Sequence, residues 1–162
     1  SIYSAGADAV GTMYADSTFT DATVTIDGGT SIGGSSGQDL NSVKLTVAAA
    51  SRHDGTAESG ALLKPTSGSG HGIGIFRIAV DNVTIEWLDI SMDSLDSTNT
   101  NVAIKLVTGA GDFTLRNMLI HDKSGNPGTS GGVGVSSSLG LTTSENWYFL
   151  NNIFYSMLIF NF

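Results

Sequence analysis

The sequence predicts an all-β solenoid built from parallel strands, and three observations support this fold class. An eight-residue unit recurs at residues 83–90 (VTIEWLDI), 113–120 (FTLRNMLI) and 147–154 (WYFLNNIF). Large apolar residues occupy the first, third and eighth places of every copy. The 162-residue chain also contains 21 glycines and many Ser, Thr and β-branched residues, a composition typical of strands joined by tight turns. A repeat spaced by about 30 to 34 residues is a sequence signature of a solenoid.

Each copy of the unit is predicted to form two short strands that meet at a bend. Its first three places alternate in the manner of a strand, whereas the fourth and fifth places are polar or bulky and interrupt the alternation. Stacking the copies places equivalent residues about 4.8 Å apart. Glu86 and Arg116 share the fourth place, so we predict an ion pair that keeps neighbouring strands in register. Asn117 and Asn151 share the fifth place and are predicted to be structural residues of the bend.

The remaining elements are predicted in chain order from local alternation and turn residues. Residues 1–20 are weakly patterned and form a lead-in segment, in which Val10, Met13, Tyr14 and Phe19 are expected to be buried. Residues 21–162 form the β domain. Besides the repeated unit, strands are predicted at residues 22–26, 43–47, 60–64, 73–80, 102–107 and 132–138. The loops between strands vary in length, and in a coil of parallel strands such insertions gather along one edge, where binding surfaces tend to be built.

These motifs resemble those of a known fold family. The three copies of the unit, together with the segments MYADSTFTDATVTIDGGT and SRHDGTAESGALL, resemble right-handed parallel β-helix proteins of the pectate-lyase-like type, in particular phage-associated and environmental ones. The resemblance covers most of residues 13–156. It implies a right-handed parallel β-helix of about five to six rungs and a virion or extracellular location. The same coil carries lyases, hydrolases and inert fibres, so the resemblance implies no single function.

Composition makes several classes of partner unfavourable. The net charge is −8 with seven Lys and Arg, and nucleic-acid affinity rests on cations that neutralise phosphates. The absence of cysteine excludes disulfides and thiolate metal sites, and we predict neither a metal nor a cofactor. Residues 147–162 are apolar, but they are interrupted by asparagines and are too short to span a membrane. The chain starts at Ser1, which indicates a processed or trimmed start.

Acidic residues are the candidates for catalysis. A glycosidase needs two carboxylates about 5 to 9.5 Å apart, yet no place of the stacked unit carries an acid in consecutive copies. Carboxylates from loops would have to converge, and Asp89, Asp93, Asp96 and Asp122 are the best placed. The resemblance to pectate lyases implies a calcium site at Asp93, Asp96 and Asp122 with Arg116 as the base. The motifs of that family around these residues are absent here, and a solvated acidic loop is the alternative.

The histidines and tryptophans are predicted to have structural places. His53, His71 and His121 lie far apart without metal-ligand spacing, and each is predicted to serve a turn or a strand end. Trp87 and Trp147 are possible stacking platforms for a glycan, but the repeat places both facing inward or at a bend.

An apolar surface at the end of the stack is predicted to be an interface. A β-helix must cover its open ends, and the last residues are apolar. We expect an interface between subunits of a trimer or filament, or with other virion proteins, formed by Met157, Leu158, Ile159, Phe160 and Phe162. A longer native chain that continues the stack is the alternative.

The sequence favours a structural or assembly role over an enzymatic one and leaves the latter open. The expected function is that of a phage virion component, such as a capsid decoration, fibre or spike, which stabilises the particle or attaches it to a surface. The alternative is a tailspike-like polysaccharide lyase or glycoside hydrolase. A host surface polysaccharide is a candidate partner in either case, and a passive glycan-binding module is the third reading.

Overall fold

The structure of the protein is a computed structural model, and it describes nine segments of the chain. These are residues 6–20, 24–26, 40–65, 74–93, 102–107, 111–121, 133–137, 146–155 and 158–161. For residues 133 and 158–161 only the backbone is described. Within these segments the chain forms β-strands and one turn of 3₁₀ helix, Ala49–Ser51. None of the described residues belongs to a helix long and apolar enough to cross a membrane.

The strands form three sheets, and every strand pairing within them is parallel. Sheet A contains Asp8–Met13 (β1), Ser42–Val47 (β3), Val83–Glu86 (β6), Phe113–Arg116 (β9) and Trp147–Leu150 (β12). Sheet B contains Leu62–Leu63 (β4), Asp89–Ser91 (β7), Leu119–His121 (β10) and Ile153–Phe154 (β13). Sheet C contains Val24–Ile26 (β2), Gly74–Ile78 (β5), Val102–Leu106 (β8), Val133–Ser137 (β11) and Leu158–Asn161 (β14). The prediction of an all-β chain with parallel strands is confirmed.

Consecutive strands enter the three sheets in a fixed rotation. β3, β4 and β5 lie in sheets A, B and C, and the same order is repeated by β6–β8, β9–β11 and β12–β14. We call each such set a strand triplet. The first triplet has β1 in sheet A and β2 in sheet C, and Phe19 bridges to Leu63 at the edge of sheet B. Each strand therefore pairs with the equivalent strands of the preceding and following triplets.

The three copies of the repeated unit lie in register. Val83 pairs with Phe113, and Phe113 pairs with Trp147. Within each copy the chain turns from sheet A to sheet B at the fifth place. The residues there, Trp87, Asn117 and Asn151, all have a positive φ, of 65°, 52° and 54°. The predicted bend is therefore a single residue in the left-handed region, which Asn adopts more readily than most residues.

The core lies between the three sheets and is filled by their inward-facing apolar side chains. The strands of the interior triplets other than β3 bury them completely, as at Ile85, Ile90, Ile104 and Leu115. Toward both ends the equivalent side chains become half-buried, as at Met13, Phe19, Val24, Trp147, Phe149 and Phe154. The hydrophobic contribution to stability therefore comes mainly from the interior triplets.

The lead-in segment is more ordered than its weak pattern suggested. Its residues 8–13 form β1, which pairs with β3 over six positions. Met13 and Phe19 pack against the core as predicted. Val10 and Tyr14 do not, since each is 54% exposed. Val10 lies beside Lys44 in the register of β1 and β3, which places it on the outward face of sheet A.

Candidate functional site

Charged side chains on the outward face of sheet A join three neighbouring strands through one carboxylate. Glu86 ends β6, and its side chain is only 3% exposed. Its Oε1 atom binds Lys44 Nζ at 2.6 Å and accepts a hydrogen bond of 2.7 Å from Thr46 Oγ1, both on β3. Its Oε2 atom accepts a hydrogen bond of 2.5 Å from Arg116 Nε on β9. The predicted pairing of Glu86 with Arg116 is confirmed, and Lys44 and Thr46 extend it to a third strand.

This network changes the acidity of Glu86. Burial raises its pKa, but the hydrogen bonds from Lys44, Thr46 and Arg116 outweigh burial and lower the pKa to about 2 from 4.5. Because the pKa in the folded state is depressed, the ionised carboxylate stabilises the fold above about pH 4.5. That stabilisation is lost as the pH falls toward 2.

The candidate catalytic residues that the structure describes have separate partners. Arg116 lies at the end of β9 and binds Glu86. Asp93 follows β7, is 53% exposed, and has its Oδ2 atom 3.7 Å from Lys64 Nζ. Asp96 and Asp122 lie outside the described residues, so their predicted roles stay predictions.

A buried acid and histidine lie on sheet B. Asp89 is part of β7 rather than of a loop, and both it and His121 of β10 are fully buried. Asp89 Oδ1 lies 2.7 Å from His121 Nε2, and Asp89 Oδ2 accepts a hydrogen bond of 2.6 Å from the backbone N–H of Glu58. The ring of Tyr155 stacks on that of His121 at a centroid distance of 5.2 Å. Asp89 thus binds both the next strand and a distant loop.

Burial is the main influence on the acidity of Asp89. It raises the pKa of the carboxyl group, while His121 and the Glu58 N–H act in the opposite direction and only partly offset it. A raised pKa in the folded state means that Asp89 contributes its stabilisation at low pH. This contribution is lost as the pH rises through the raised value.

Among the described residues, the hydroxyl that lies next to His121 in the strand register is that of Ser91. Ser91 lies opposite His121 in the register of β7 and β10 and is fully buried. Its Oγ atom has no hydrogen-bond partner among the described residues. A serine nucleophile needs a hydrogen bond to its base and access to substrate. The buried pair of Asp89 and His121 therefore links β7 with β10, and the Ser91 hydroxyl is not hydrogen-bonded to it.

The loop of residues 52–61, which leads into β4, lies against this cluster and against the bend beside it. His53 is 8% exposed and contacts the Asn117 carbonyl through Nε2 at 2.8 Å. Lys64 Nζ donates to Glu58 Oε1 at 2.9 Å, which raises the pKa of Lys64. Gly60 is required here, because a Cβ atom would lie 2.4 Å from the backbone nitrogen of His53. We call residues 52–61 the covering loop.

The tryptophans occupy the structural places expected from the repeat. Trp87 lies at the bend, and the Arg52 guanidinium is 4.7 Å from its ring centroid. Trp147 pairs with Phe113 and packs, half-buried, against the core. A glycan would therefore have to displace Arg52 before it could stack on Trp87.

Sequence reasoning missed the pairing of Asp89 with His121, although a signal was present. Asp89 occupies the seventh place of the unit, where the other copies have Leu119 and Ile153. A carboxylate at a place that is otherwise apolar requires a buried partner. His53 and His121 do occupy a turn and a strand end, as predicted, and both are also buried. His71 lies outside the described residues.

Two further predictions concern metal binding and the interface between subunits. The described residues contain no group of three or more His, Cys, Asp or Glu arranged to hold a metal ion. Of the predicted interface, residues 158–160 belong to β14, whereas Met157 and Phe162 lie outside the described residues.

Comparisons with known proteins leave the family of the chain open. No protein-family model, no curated protein and no solved structure matches it. The functional argument therefore rests on the chain's own residues.

Proposed function

We propose that the chain is a right-handed parallel β-helix of about five to six rungs, in which each strand triplet is one rung. The fixed rotation through sheets A, B and C supports this architecture, because a coil returns to each of its faces once per turn. The alignment of Val83, Phe113 and Trp147 also supports it. The handedness follows the resemblance of the sequence to pectate-lyase-like proteins and the general preference of parallel crossovers.

We further propose that this β-helix is a structural or assembly protein. One observation carries this proposal: the buried ionisable side chains bind neighbouring strands or the covering loop. Glu86 joins β3, β6 and β9, and Asp89 joins β7, β10 and residue Glu58. Side chains used in this way stabilise the stack of strands, which is the task of a structural protein.

The particle context of the proposal is a phage virion, in which the chain would be a capsid decoration, a fibre or a spike. It would act outside the cell as a homo-oligomer or bound to other virion proteins. The support for this context is the resemblance of the sequence to phage-associated β-helix proteins. The interface predicted at residues 157–160 and Phe162 belongs to the same proposal.

Fractionation of particles tests the structural role. Virus particles from the material in which the chain occurs would be purified on a density gradient, and peptides of the chain would be quantified across the gradient by mass spectrometry. We expect the peptides to sediment with intact particles at a constant ratio to a coat protein. Peptides found only in the soluble fractions would contradict a virion role.

A turnover assay separates this role from the enzymatic alternative. The purified chain would be incubated with polysaccharides from the host surface, and reducing ends and unsaturated sugars would be measured. We expect no release above the buffer control. Release that disappears in the Asp93→Ala or Asp122→Ala variant would establish a lyase or hydrolase instead.

A further inference from the structure

The outward face of sheet A carries four polar side chains close together on its interior strands. Lys44, Thr84 and Thr114 follow one another in one row across β3, β6 and β9. Arg116 lies two residues after Thr114 on β9, so its side chain is on the same side of the sheet. All four side chains are partly exposed. We call these four residues the outer patch.

Glu86 holds both cations of the outer patch in place. Its carboxylate is only 3% exposed, with Oε1 bound to Lys44 Nζ and Oε2 bound to Arg116 Nε. Thr46 also donates to Oε1. Both oxygens are thus occupied, and the two cations converge on opposite sides of one carboxylate. Side chains that are already held in place lose less conformational entropy when they bind a ligand.

Most hydrogen-bond donors of the outer patch are left over after these contacts. An ammonium group has three N–H donors, and a guanidinium group has five. Lys44 and Arg116 each bind Glu86 through a single nitrogen, so both terminal nitrogens of Arg116 stay unused by the described residues. In the same part of the chain, neither the Thr84 nor the Thr114 hydroxyl has a hydrogen-bond partner. The outer patch therefore presents donors from two charged and two neutral groups.

The charges around the outer patch favour an anion. Lys44 and Arg116 carry two positive charges, and the ionised Glu86 neutralises one of them. A further acid, Asp112, lies just before β9, and its Oδ1 atom accepts two hydrogen bonds from Asn146. Along an extended strand it is roughly 13 Å from Arg116. The attraction for an anion is therefore strongest at the Arg116 end of the patch.

The set of donors fits a tetrahedral oxyanion better than a carboxylate. A carboxylate has two oxygens, and Glu86 shows that one lysine and one arginine already occupy both of them. The outer patch adds two hydroxyl donors, with Thr84 beside Lys44 and Thr114 on the strand of Arg116. A phosphate or sulfate group has enough oxygens to accept from all four side chains. The fork of an arginine and the point charge of a lysine both suit such groups.

We propose that the outer patch binds a tetrahedral oxyanion, namely a phosphate or sulfate group. The terminal nitrogens of Arg116 bind two of its oxygens, Lys44 Nζ supplies a second positive charge, and the hydroxyls of Thr84 and Thr114 donate to the remaining oxygens. The patch faces outward, so one oxygen of the group stays in solvent. This inference goes beyond the structural role proposed above, since the site needs neither a particle nor a second copy.

Titration with inorganic phosphate tests the inference. Amide shifts would be followed by ¹H–¹⁵N NMR at pH 7.5, with chloride keeping the ionic strength constant. We expect saturable shifts at residues 84, 114 and 116, with a Kd on the order of millimolar because the cations are partly exposed. Sulfate should act similarly. Acetate, which has only two oxygens, should bind at least about tenfold more weakly.

Three variants identify the ligands, and a fourth is the matched control. Thr84→Val and Thr114→Val each remove one hydroxyl, keep a side chain suited to a strand, and should weaken binding about three- to tenfold. Arg116→Lys keeps the charge but lacks the fork, so a loss of about tenfold is expected. Arg77→Gln removes a positive charge from the outward face of sheet C and should leave the Kd unchanged. Circular dichroism checks that each variant is folded.

Two further measurements define the site more closely. Asp112→Asn keeps the oxygen that accepts from Asn146 but removes a negative charge, so phosphate should bind about twofold more tightly. Methyl phosphate distinguishes the source of the group. Binding as tight as that of inorganic phosphate identifies an ester on a larger molecule, whereas a loss of tenfold or more identifies the free ion.

Other outcomes overturn the inference. Shifts that rise linearly with phosphate, without saturation, contradict a defined site. Unchanged affinity in Thr84→Val, Thr114→Val and Arg116→Lys contradicts these residues as the ligands. A loss in Arg77→Gln as large as that in Arg116→Lys would mean that the total charge of the chain, and not the outer patch, attracts the anion.

Discussion

At the scale of single residues, the bends show most clearly how backbone geometry selects an amino acid. Asn151 has a φ of 54° and an exposed side chain. Trp87 adopts a similar backbone at 65°, where its ring packs beneath Arg52. An asparagine tolerates this region with little strain, whereas a tryptophan is held there by its surroundings.

A pair of substitutions at Asn151 isolates the backbone requirement. Asn151→Ala should lower the free energy of unfolding by about 1 kcal/mol, because a Cβ atom disfavours the left-handed region. Asn151→Gly should change it by about 0.5 kcal/mol or less, since glycine adopts that region freely. Urea denaturation of both variants provides the measurement. Equal losses would mean that the asparagine side chain, rather than φ, is what matters.

The charge network around Glu86 gives a prediction about pH. In Glu86→Gln the carboxylate with the depressed pKa is absent, so the loss of stability between about pH 4.5 and pH 2 should become shallower. At neutral pH the variant should be less stable by about 2 kcal/mol, because Lys44 and Arg116 lose their common partner. Denaturation midpoints across this pH range are the readout. Glu58→Gln is the control, since its ion pair with Lys64 is exposed and is worth about 0 to 1 kcal/mol.

The sequence allowed one of these residue contacts to be predicted and not the other. Glu86 and Arg116 share a place in the repeated unit, so stacking the copies was sufficient to pair them. Asp89 and His121 differ by two places, and their burial depends on the covering loop, which the repeat does not include. A repeated pattern predicts which strand residues lie side by side, but it does not predict where a loop outside the repeat packs.

At the scale of elements, the covering loop depends on one carboxylate. Asp89 accepts the Glu58 N–H at 2.6 Å and also binds His121. The loop has its own turn, in which Asp54 Oδ1 accepts from the Thr56 N–H and the Ser59 hydroxyl. These bonds lower the pKa of Asp54. The turn is local, so its attachment to sheet B rests on contacts such as that of Asp89.

Removing that carboxylate should release the loop before the strands separate. Asp89→Ala removes the partner of the buried His121 ring and the acceptor of the Glu58 N–H, so we expect a loss of about 3 kcal/mol or more in the free energy of unfolding. Hydrogen exchange at the Glu58 amide should accelerate more than exchange in β6. Asp54→Ala is the comparison, because it perturbs the turn without touching sheet B. Unchanged exchange at Glu58 in Asp89→Ala would contradict this role.

The strands themselves were predicted with uneven success, and the reason is physical. The unit at residues 83–90, 113–120 and 147–154 alternates clearly, and its two-strand form was predicted. β1 has the sequence DAVGTM, in which Ala, Gly and Asp have low preference for strands. Its extended form comes from pairing with β3, a contact between residues far apart in the chain. Tertiary pairing therefore created a strand that local preference did not indicate.

At the scale of the whole molecule, the core side chains are most fully buried in the interior triplets and become half-buried toward the first and last triplets. Leu115 on β9 faces inward and is fully buried, whereas Leu150 of the last triplet lies in the outward row of Glu86 and Arg116 and is 49% exposed. Chemically identical substitutions at these two positions therefore compare an inward core position with an outward one.

Leu115→Ala should reduce the free energy of unfolding by about 2 to 5 kcal/mol, because it opens a cavity between the sheets. Leu150→Ala should change it by about 0.5 kcal/mol or less, since its side chain is largely in water. Denaturation at low protein concentration, where copies do not associate, gives the comparison. Similar losses for both would mean that the outward-facing side chain of Leu150 is packed as closely as a core side chain.

The single-residue bend that follows every strand of sheet A from β6 onward has a consequence for engineering. Each bend is made by the backbone of one residue at the same place of the unit. A tandem duplication of residues 83–112 would therefore include the bend residue that joins its strands of sheets A and B. The duplicated chain would insert one additional strand into each of the three sheets and leave the flanking registers intact. Each such duplication would thus lengthen the stack of strands by about 4.8 Å.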